Sequence, residues 1–557
     1  MSNDDLLAML NGKLSTTPAP VAPFIPMAAG LGDDTVLAAS GALSADATVP
    51  GMLRPFMPHQ AAAFLYCQGA IARWGGALLG DDMGMGKTQV MLALAAQVNG
   101  YAIVIAPPVT LAGYKGDLAA AFPGLRMFHA KGRTATDVPA GTDIVFMSDD
   151  PLTLRAWLTN GLDASKNFTI SDLALRAGML IRDEMHRDKG ADGKPGSPTS
   201  RARLMLHLSA ALRKQGTPIV GATGTLLVNG RPIEALIPLQ IIGGMDLVKA
   251  IAPGARNSLG FAFMYCRPVN NGFGYNYGGC DRDKLPQLHE YFRRTVYCRR
   301  DKDDLGTALP ARRWLVRPLA LNGVLARYNR VERDVLGLIR DENGPEAYLR
   351  AAKAEKLVQI MKLWEEAGIA KGQAAVEYIA DLIDTSGGKP VLAFYWHKGT
   401  RDALIDGLSK AGISMGLIDG SVSGASREHQ IADFQAGKTQ VMLAQIGAAG
   451  IGVTLTAAAD AVFVQIPWSS GLLKQAADRI LRVDDKTMAR AERGEHITWH
   501  VLQACKEDGA PTFDGYMFEA VSNKAAVSDA VNAGKEVTMP EADVMLAAVS
   551  AWYAANQ

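Results

Sequence analysis

Two short segments carry residues whose types and order could bind and cleave a phosphate anhydride. In LLGDDMGMGKTQVMLALAA an apolar run leads into a glycine-bearing loop and then a helical stretch. Such a loop lets backbone N–H groups converge on phosphate oxygens, and the helix N-terminus adds partial positive charge. Asp82, Met83, Gly84, Met85, Gly86, Lys87, Thr88 and Gln89 span this cradle. Lys87 would reach the β- and γ-phosphates of ATP, and the Thr88 hydroxyl would coordinate Mg²⁺. The first glycine of the usual GxxxxGKT pattern is missing, and Asp81 stands there.

The second segment, GMLIRDEMHRDK, follows about 95 residues downstream. Its apolar run brings the chain to a strand end, with two carboxylates at the mouth. In nucleotide hydrolysis one such carboxylate holds the metal and the next polarises the attacking water. Asp183 takes the metal role and Glu184 the water role. His186, two positions on, could couple the site to neighbouring elements. An exposed strand end is the alternative for DExH alone, and it loses weight behind a phosphate loop at this distance.

These residues need parallel strands to position them. Across about 53–240, runs such as YAIVIAPP, TDIVFMS, GMLIRDE and TPIVGATG sit between helical stretches. Buried parallel strands with crossover helices have this pattern. The rhythm lapses over 241–345 and resumes after about 370 with PVLAFYWH, ISMGLIDG, TQVMLAQI, AAADAVFVQI and ITWHVLQA. The expected fold is α/β, with two parallel-sheet lobes that look like two versions of one architecture and a mixed, mainly helical insert between them. The expected division is a flexible N-terminal arm (1–50), lobe 1 with the ATP site (51–240), the inter-lobe insert and linker (241–369), lobe 2 (370–525) and a helical tail (526–557).

Composition sets outer bounds. With 557 residues and 48% hydrophobic, the chain can build more than one core, which excludes a wholly disordered protein. Lys+Arg 57 against Asp+Glu 56 excludes a histone-like polycation, but not a basic face. Five cysteines without a CxxC pair argue against a zinc site or disulfide framework and for a reducing compartment. The start MSNDDLLAML lacks the basic residues of a secretory signal, and no run reads as a membrane span. A cytoplasmic monomer with no membrane partner is expected, with the N-terminal arm as a candidate site for a replication or repair protein.

The phosphate loop DDMGMGKT resembles the DEMGLGKT of Swi/Snf-type DNA translocases within helicase superfamily two, a family in which the first glycine is normally absent. LRPFMPHQAAAF resembles the adenine-recognition segment, which implies that Gln60 reads the base edge. GATGTLLVN resembles the coupling motif, with Thr223, Gly224 and Thr225 matching and Leu226 in place of proline. GAAGIGVTLTAAADAVF resembles the glycine-rich turn of the second lobe, which includes Gly452. QAADRILRV resembles QAxDRxHRIGQ, so Gln475 carries over as a coupling residue and Arg479 and Arg482 as catalytic arginines reaching the γ-phosphate. Leu481 replaces the histidine, and Val483-Asp484-Asp485 replace IGQ. FMYCRPVNNGFGYNYGGCDRDKLPQLHEYF, RRDKDDLGTALPAR and VLAFYWHKGTRDAL resemble the fork-remodelling or annealing-helicase branch, in a minimal bacterial or bacteriophage form.

The resemblance implies that the two parallel-sheet lobes are RecA-like, and that the chain is a DNA-dependent ATPase that uses ATP and Mg²⁺ to remodel or reanneal duplex, forked or branched DNA with little regard to sequence. An RNA-directed helicase and a nucleic-acid-binding scaffold with weak ATPase activity are the alternatives. Residues 282–333 carry 13 Lys/Arg against 6 Asp/Glu, a local charge of +7. Arg293, Arg294, Arg299 and Arg300 are expected to grip DNA phosphates, together with Lys398; a brace between lobes is the competing reading. Tyr275, Tyr277, Tyr291, Phe292 and Tyr297 could stack on bases or pack a small core.

Overall fold

The computed structural model describes residues 42–43, 45–188, 198–227, 231–270, 275–277, 279–321, 324–350, 354–422, 424–449, 453–532 and 544–556. Most of the N-terminal arm, and Gly452, lie outside the described residues. The chain forms two compact units that part at Gly306 and Thr307. The expected insert 241–369 is therefore shared: its first part belongs to one unit and its second part to the other.

In the first lobe the strands are β1 (Gly76–Leu79), β2 (Ala102–Ala106), β3 (Met127–Ala130), β4 (Ile144–Ser148), β5 (Thr159–Leu162), β6 (Phe168–Ile170), β7 (Met179–Asp183), β8 (Ile219–Ala222), β9 (Val269–Asn270), β10 (Tyr275–Asn276) and β11 (Tyr297–Cys298). Seven of them make one sheet in the order β11-β1-β8-β7-β2-β4-β3, with every pair parallel. The pairs β5–β6 and β9–β10 are separate antiparallel hairpins. Strands such as β1, β2 and β8 are buried along their whole length. That is why they are almost uninterruptedly apolar and need helices on both faces.

Register decides what meets at the sheet's C-terminal edge. Leu79 pairs with Cys298 on one side and with Ala222 on the other, and Ala222 pairs in turn with Asp183. Four strands thus end level with one another. The ladder runs past the strand ends: Gly80 N donates to Cys298 O at 2.7 Å, Asp82 N to Arg300 O at 2.9 Å, and Thr223 N to Leu79 O at 3.0 Å.

The second lobe has β12 (Ala311–Ala320), β13 (Val391–Tyr395), β14 (Met415–Ile418), β15 (Val441–Gln445), β16 (Asp460–Phe463) and β17 (His496–Cys505), in the order β12-β17-β16-β13-β15-β14, again all parallel. The basic stretch ARRWLVRPLA pairs with β17 along ten residues. Its inward residue Trp314 stacks on Trp499 with centroids 5.0 Å apart, and Phe463 lies 5.8 Å from Trp314 and 4.7 Å from Phe394. The C-terminal helix Val544–Ala555 is docked on this lobe, with Trp552 Nε1 donating to Glu332 Oε1 at 3.2 Å. Among the described residues no helix is long and apolar enough to cross a membrane.

One buried ion pair ties the second lobe's layers together. Lys371 Nζ donates to Asp514 Oδ2 at 2.6 Å and to Leu502 O at 2.8 Å, with both side chains almost fully enclosed. Removing one partner leaves the other charged group buried without it, which costs about 3–5 kcal/mol. Lys371→Ala should therefore lower the urea midpoint of the second lobe, while Lys371→Met with Asp514→Leu recovers much of the loss. A single variant as stable as the parent would refute this account.

Candidate nucleotide site

The helix Lys87–Ala95 starts directly behind the loop that leaves β1. Gly84 and Gly86 have φ values of 78° and 81°, in the left-handed region that suits glycine. A Cβ on Gly86 would also lie only 2.0 Å from Gln60 Nε2. Lys87 Nζ donates to the carbonyls of Asp81 and Asp82 at 2.7 and 3.0 Å. Burial lowers its pKa, with Glu184, Asp81, Asp82 and Asp183 pulling the other way. The ammonium is thus held over the loop by neutral acceptors among four carboxylates, ready to accept an anion in their place.

Asp183 stands at the end of β7, receiving Tyr114 OH at Oδ2 (3.2 Å) and Glu184 N at Oδ1 (2.9 Å). Burial, and then the adjacent Glu184 carboxylate, pushes its pKa up to about 6, against the opposing pull of Lys87. A buried carboxylate in this state gains from a cation beside it. The Thr88 hydroxyl and this carboxylate are hard oxygen donors of the kind Mg²⁺ takes, and the helix N-terminus suits the phosphates that would complete its shell. The residues present therefore fit both ATP and Mg²⁺. Glu184 has φ 52°, a left-handed conformation that strains a non-glycine residue.

Three of the residues expected to couple, His186, Thr223 and Thr225, are joined by one chain of contacts. His186 Nδ1 lies 3.2 Å from Glu184 Oε2 and 2.9 Å from Thr223 Oγ1, and Thr225 N donates to the same Thr223 hydroxyl at 3.2 Å. A Cβ on Gly224 would lie 2.7 Å from Met83 Cγ and 3.5 Å from Lys87 Nζ, so this turn leans directly on the phosphate loop. Leu226, in the position of the usual proline, is buried.

Several expected site residues do different work. Gln89 faces away from the cradle: its Nε2 donates to the Arg54 and Pro55 carbonyls, and its Oε1 accepts from Arg54 Nε. It fastens the helix to the preceding segment. Met83 and Met85 are buried, so only their backbone is placed to meet phosphate. Gln60 accepts from Met57 N and donates to Met85 O, which makes it a support of the loop with one amide hydrogen left over.

The arginines give the largest correction. Arg299 donates to Gly80 O and Gly224 O, both at 3.0 Å, and to Asp301 at 2.5 Å, with Asp82 at 3.9 Å. Arg300 pairs with Asp81 at 3.0 Å, and its side chain is wholly buried. Arg294 is buried beside Glu290 at 2.6 Å. The ladder between β11 and β1 forces residues 299 and 300 alongside the phosphate loop, so they brace it and cannot grip DNA. Arg293 is half-buried, its carbonyl accepting from Tyr66 OH. Lys398 is exposed at the start of the helix Lys398–Lys410. Phe292 and Tyr297 pack together, and the Tyr297 ring comes so close to Gly80 that a Cβ there would collide with it.

In the second lobe Arg479 Nη1 and Arg482 Nη2 both donate to Val453 O, at 3.1 and 3.2 Å. Arg479 O accepts from Leu455 N, joining the arginine segment to the turn before it. Gln475 is buried in the helix Ser470–Ala477, whose last carbonyl accepts from Trp499 Nε1.

Two groups beneath the site escaped sequence reasoning. Tyr114 holds Asp183. Arg182, fully buried inside β7, donates to Asp188 Oδ2 at 2.5 Å and to the Asp183 carbonyl at 2.5 Å, and meets Asp149 at 3.3 Å. A cation directly after the apolar run GMLI was the available signal, since a buried charge needs partners.

The helicase conserved C-terminal domain matches residues 374–484. The chain is 24% identical over 462 residues to the SWI/SNF-related matrix-associated actin-dependent regulator of chromatin subfamily A-like protein 1 of Xenopus tropicalis, covering 82% of this chain and 43% of that protein. It is 25% identical over 447 residues to the human DNA annealing helicase and endonuclease ZRANB3, covering 78% and 38%. The chain thus spans less than half the length of these two curated relatives. The Sulfolobus solfataricus SWI2/SNF2 ATPase core in complex with dsDNA aligns with TM-score 0.34 and 14% identity, over 89% of this chain and 97% of that one.

Two measurements check this geometry. An unfolded Asp carboxyl titrates near pH 4. Between about pH 4 and 6 the folded protein therefore holds more protons than the unfolded chain, and the contribution of Asp183 to stability falls as pH rises. Without Mg²⁺ and nucleotide, Asp183→Asn should melt above the parent at pH 8, by on the order of 2 kcal/mol, with the gap closing toward pH 4. Equal melting at pH 8 would contradict it. Arg300→Ala strands Asp81 and should destabilise the first lobe by about 3–5 kcal/mol. A polyanion grip would instead leave melting intact and flatten the salt dependence of binding.

Proposed function

We propose that this chain, a Swi/Snf-type protein of helicase superfamily two, is a DNA-dependent ATPase that moves along duplex or branched DNA and remodels or reanneals it. The observation that carries the chemistry is the meeting of Lys87, Asp183, Glu184 and the His186–Thr223 relay at one sheet edge. Similarity to DNA-processing relatives over about four-fifths of the chain supports the choice of DNA.

In this reading the loop N–H groups and Lys87 bind and orient the β- and γ-phosphates, leaving the carbonyls that Lys87 now contacts. Thr88 and Asp183 would hold Mg²⁺, which when bound neutralises charge on the phosphate oxygens. Glu184 accepts a hydrogen bond from the attacking water and draws its proton. His186, between Glu184 and Thr223, reports the state of that carboxylate to the coupling turn. Arg479 and Arg482 are the arginines this reading assigns to stabilising charge on the transferred phosphoryl group, a contribution on the order of 10³–10⁵ in rate where such arginines act. Lys398 remains a candidate DNA contact. The remodelling role and the absence of sequence preference follow from the same resemblance.

The test is ATP turnover with single-stranded DNA, duplex, fork and RNA at equal nucleotide concentration. DNA should stimulate and RNA should not. Glu184→Gln should retain ATP binding while losing about 10²–10⁴-fold in turnover, whereas Lys87→Ala should lose both. Parental turnover in Glu184→Gln would remove Glu184 from the water-activating role, and stimulation by RNA alone would overturn the choice of substrate.

A further inference from the structure

We infer that the Tyr114 hydroxyl is a specificity-determining group of the nucleotide site: by holding one oxygen of Asp183 it makes the site discriminate Mg²⁺ from Ca²⁺. The inference rests on the metal role proposed for Asp183 above, and it adds a residue that lies outside both motifs carrying the chemistry.

Tyr114 reaches the carboxylate because of the face its helix buries. In the helix Leu111–Ala121 the buried residues are Tyr114, Leu118 and Ala121, one stripe at helical spacing. The ring meets Phe146 of β4 edge to face, with centroids 5.4 Å apart. Its hydroxyl lies 3.7 Å from Met91 Sδ, on the helix that follows the phosphate loop. The residue is buried. A phenylalanine would fill the same space, so the hydroxyl adds one polar atom to an apolar wall, where it needs a partner. A thioether is only a weak acceptor. The strong one is Asp183 Oδ2 at 3.2 Å.

The consequence falls on the carboxylate. Asp183 Oδ1 accepts from Glu184 N at 2.9 Å, so each oxygen holds a donor, one from its own strand end and one from the helix of Tyr114. One such bond would leave a pivot; two fix the rotation about Cβ–Cγ. Arg182, donating to the Asp183 carbonyl at 2.5 Å, anchors the backbone from below. The hydroxyl therefore sets the orientation of the carboxylate rather than its place in the fold. Mg²⁺ demands near-ideal octahedral geometry, whereas Ca²⁺ takes about six to eight oxygens in flexible arrangements and often both oxygens of one carboxylate. A carboxylate that cannot turn, with a donor already on each oxygen, suits the first cation and penalises the second. Tyr114 acts through Asp183 and is a positioning residue.

The experiment uses the full chain without DNA and a fluorescently labelled, non-hydrolysable ATP analogue, with dissociation constants read in Mg²⁺, in Ca²⁺ and in EDTA. The parent should bind more tightly with Mg²⁺ than with Ca²⁺; equal affinities overturn the inference on the parent alone. Tyr114→Phe removes only the oxygen and should cut the Mg²⁺ preference by on the order of tenfold, the weight of one hydrogen bond to a charged group. Met91→Leu removes the neighbouring sulfur at similar volume and should keep the parental preference. In an Asp183→Asn background Tyr114→Phe should change the preference no further. A lower melting temperature in Tyr114→Phe with the preference unchanged would make the hydroxyl a packing group only and overturn the inference. So would an equal loss of preference in Met91→Leu, or a further loss behind Asp183→Asn. The two ideas separate on the parent: nucleotide affinity equal in Mg²⁺ and EDTA means the metal role of Asp183 has failed. Mg²⁺-dependent binding with the same Mg²⁺ to Ca²⁺ ratio in parent and Tyr114→Phe means only the Tyr114 assignment has failed.

Discussion

A parallel strand pair has one free choice, its register, and a slip of one residue turns every side chain to the opposite face. In the first lobe this choice is made three times in succession, so that Cys298, Leu79, Ala222 and Asp183 lie level across four strands. The candidate site lies within a few residues of that line: Arg299 and Arg300, the loop 80–86, Thr223, and the Asp183–Glu184 pair. No single strand carries the site. A slip between β8 and β7 alone would part His186 from Thr223 and leave the two carboxylates without their link to the coupling turn.

The same line accounts for the missing first glycine. Asp81 occupies that position, and its carboxylate accepts from the Arg300 backbone N–H at 2.9 Å and from the Arg300 guanidinium at 3.0 Å. An acidic residue at the mouth of a phosphate loop would repel the ligand if left uncompensated. Here the adjoining strand delivers a buried cation to it. Arg299 performs a second task from the neighbouring position, tying Gly80 and Gly224 through one guanidinium. The loop 80–86, with an aspartate where the usual pattern has its first glycine, is thus secured by two arginines from more than two hundred residues away.

That separation explains what the sequence made legible. Buried parallel strands declared themselves as short apolar runs, and Lys87, Asp183, Glu184, His186 and Thr223 could be read because each belongs to a contiguous motif at a strand end. β11 could not be read, because two residues among arginines have no periodicity and become a strand only by pairing with β1. The basic region consequently looked like a surface, when part of it is a buried brace and part is β12 of the second sheet. Tyr114 and Arg182 were hidden for a related reason. Tyr114 reaches Asp183 across 69 positions and Arg182 reaches Asp149 across 33, and spacing along the chain encodes neither contact.

The second lobe presents a different economy of hydrogen bonding. A single carbonyl, that of Val453, serves both Arg479 and Arg482. Each guanidinium carries five N–H donors in a planar fork. Hydrogen bonds from arginine to an anionic phosphate oxygen are roughly twice as strong as those to a neutral acceptor. In the proposed ATPase cycle, a phosphoryl oxygen would thus be a stronger acceptor for these arginines than the Val453 carbonyl. Because Leu455 N is bonded to the Arg479 carbonyl, movement of the arginine segment would pull on the turn that precedes β16. In the proposed cycle, that hydrogen bond would carry a movement of the arginines into the second lobe's own loops.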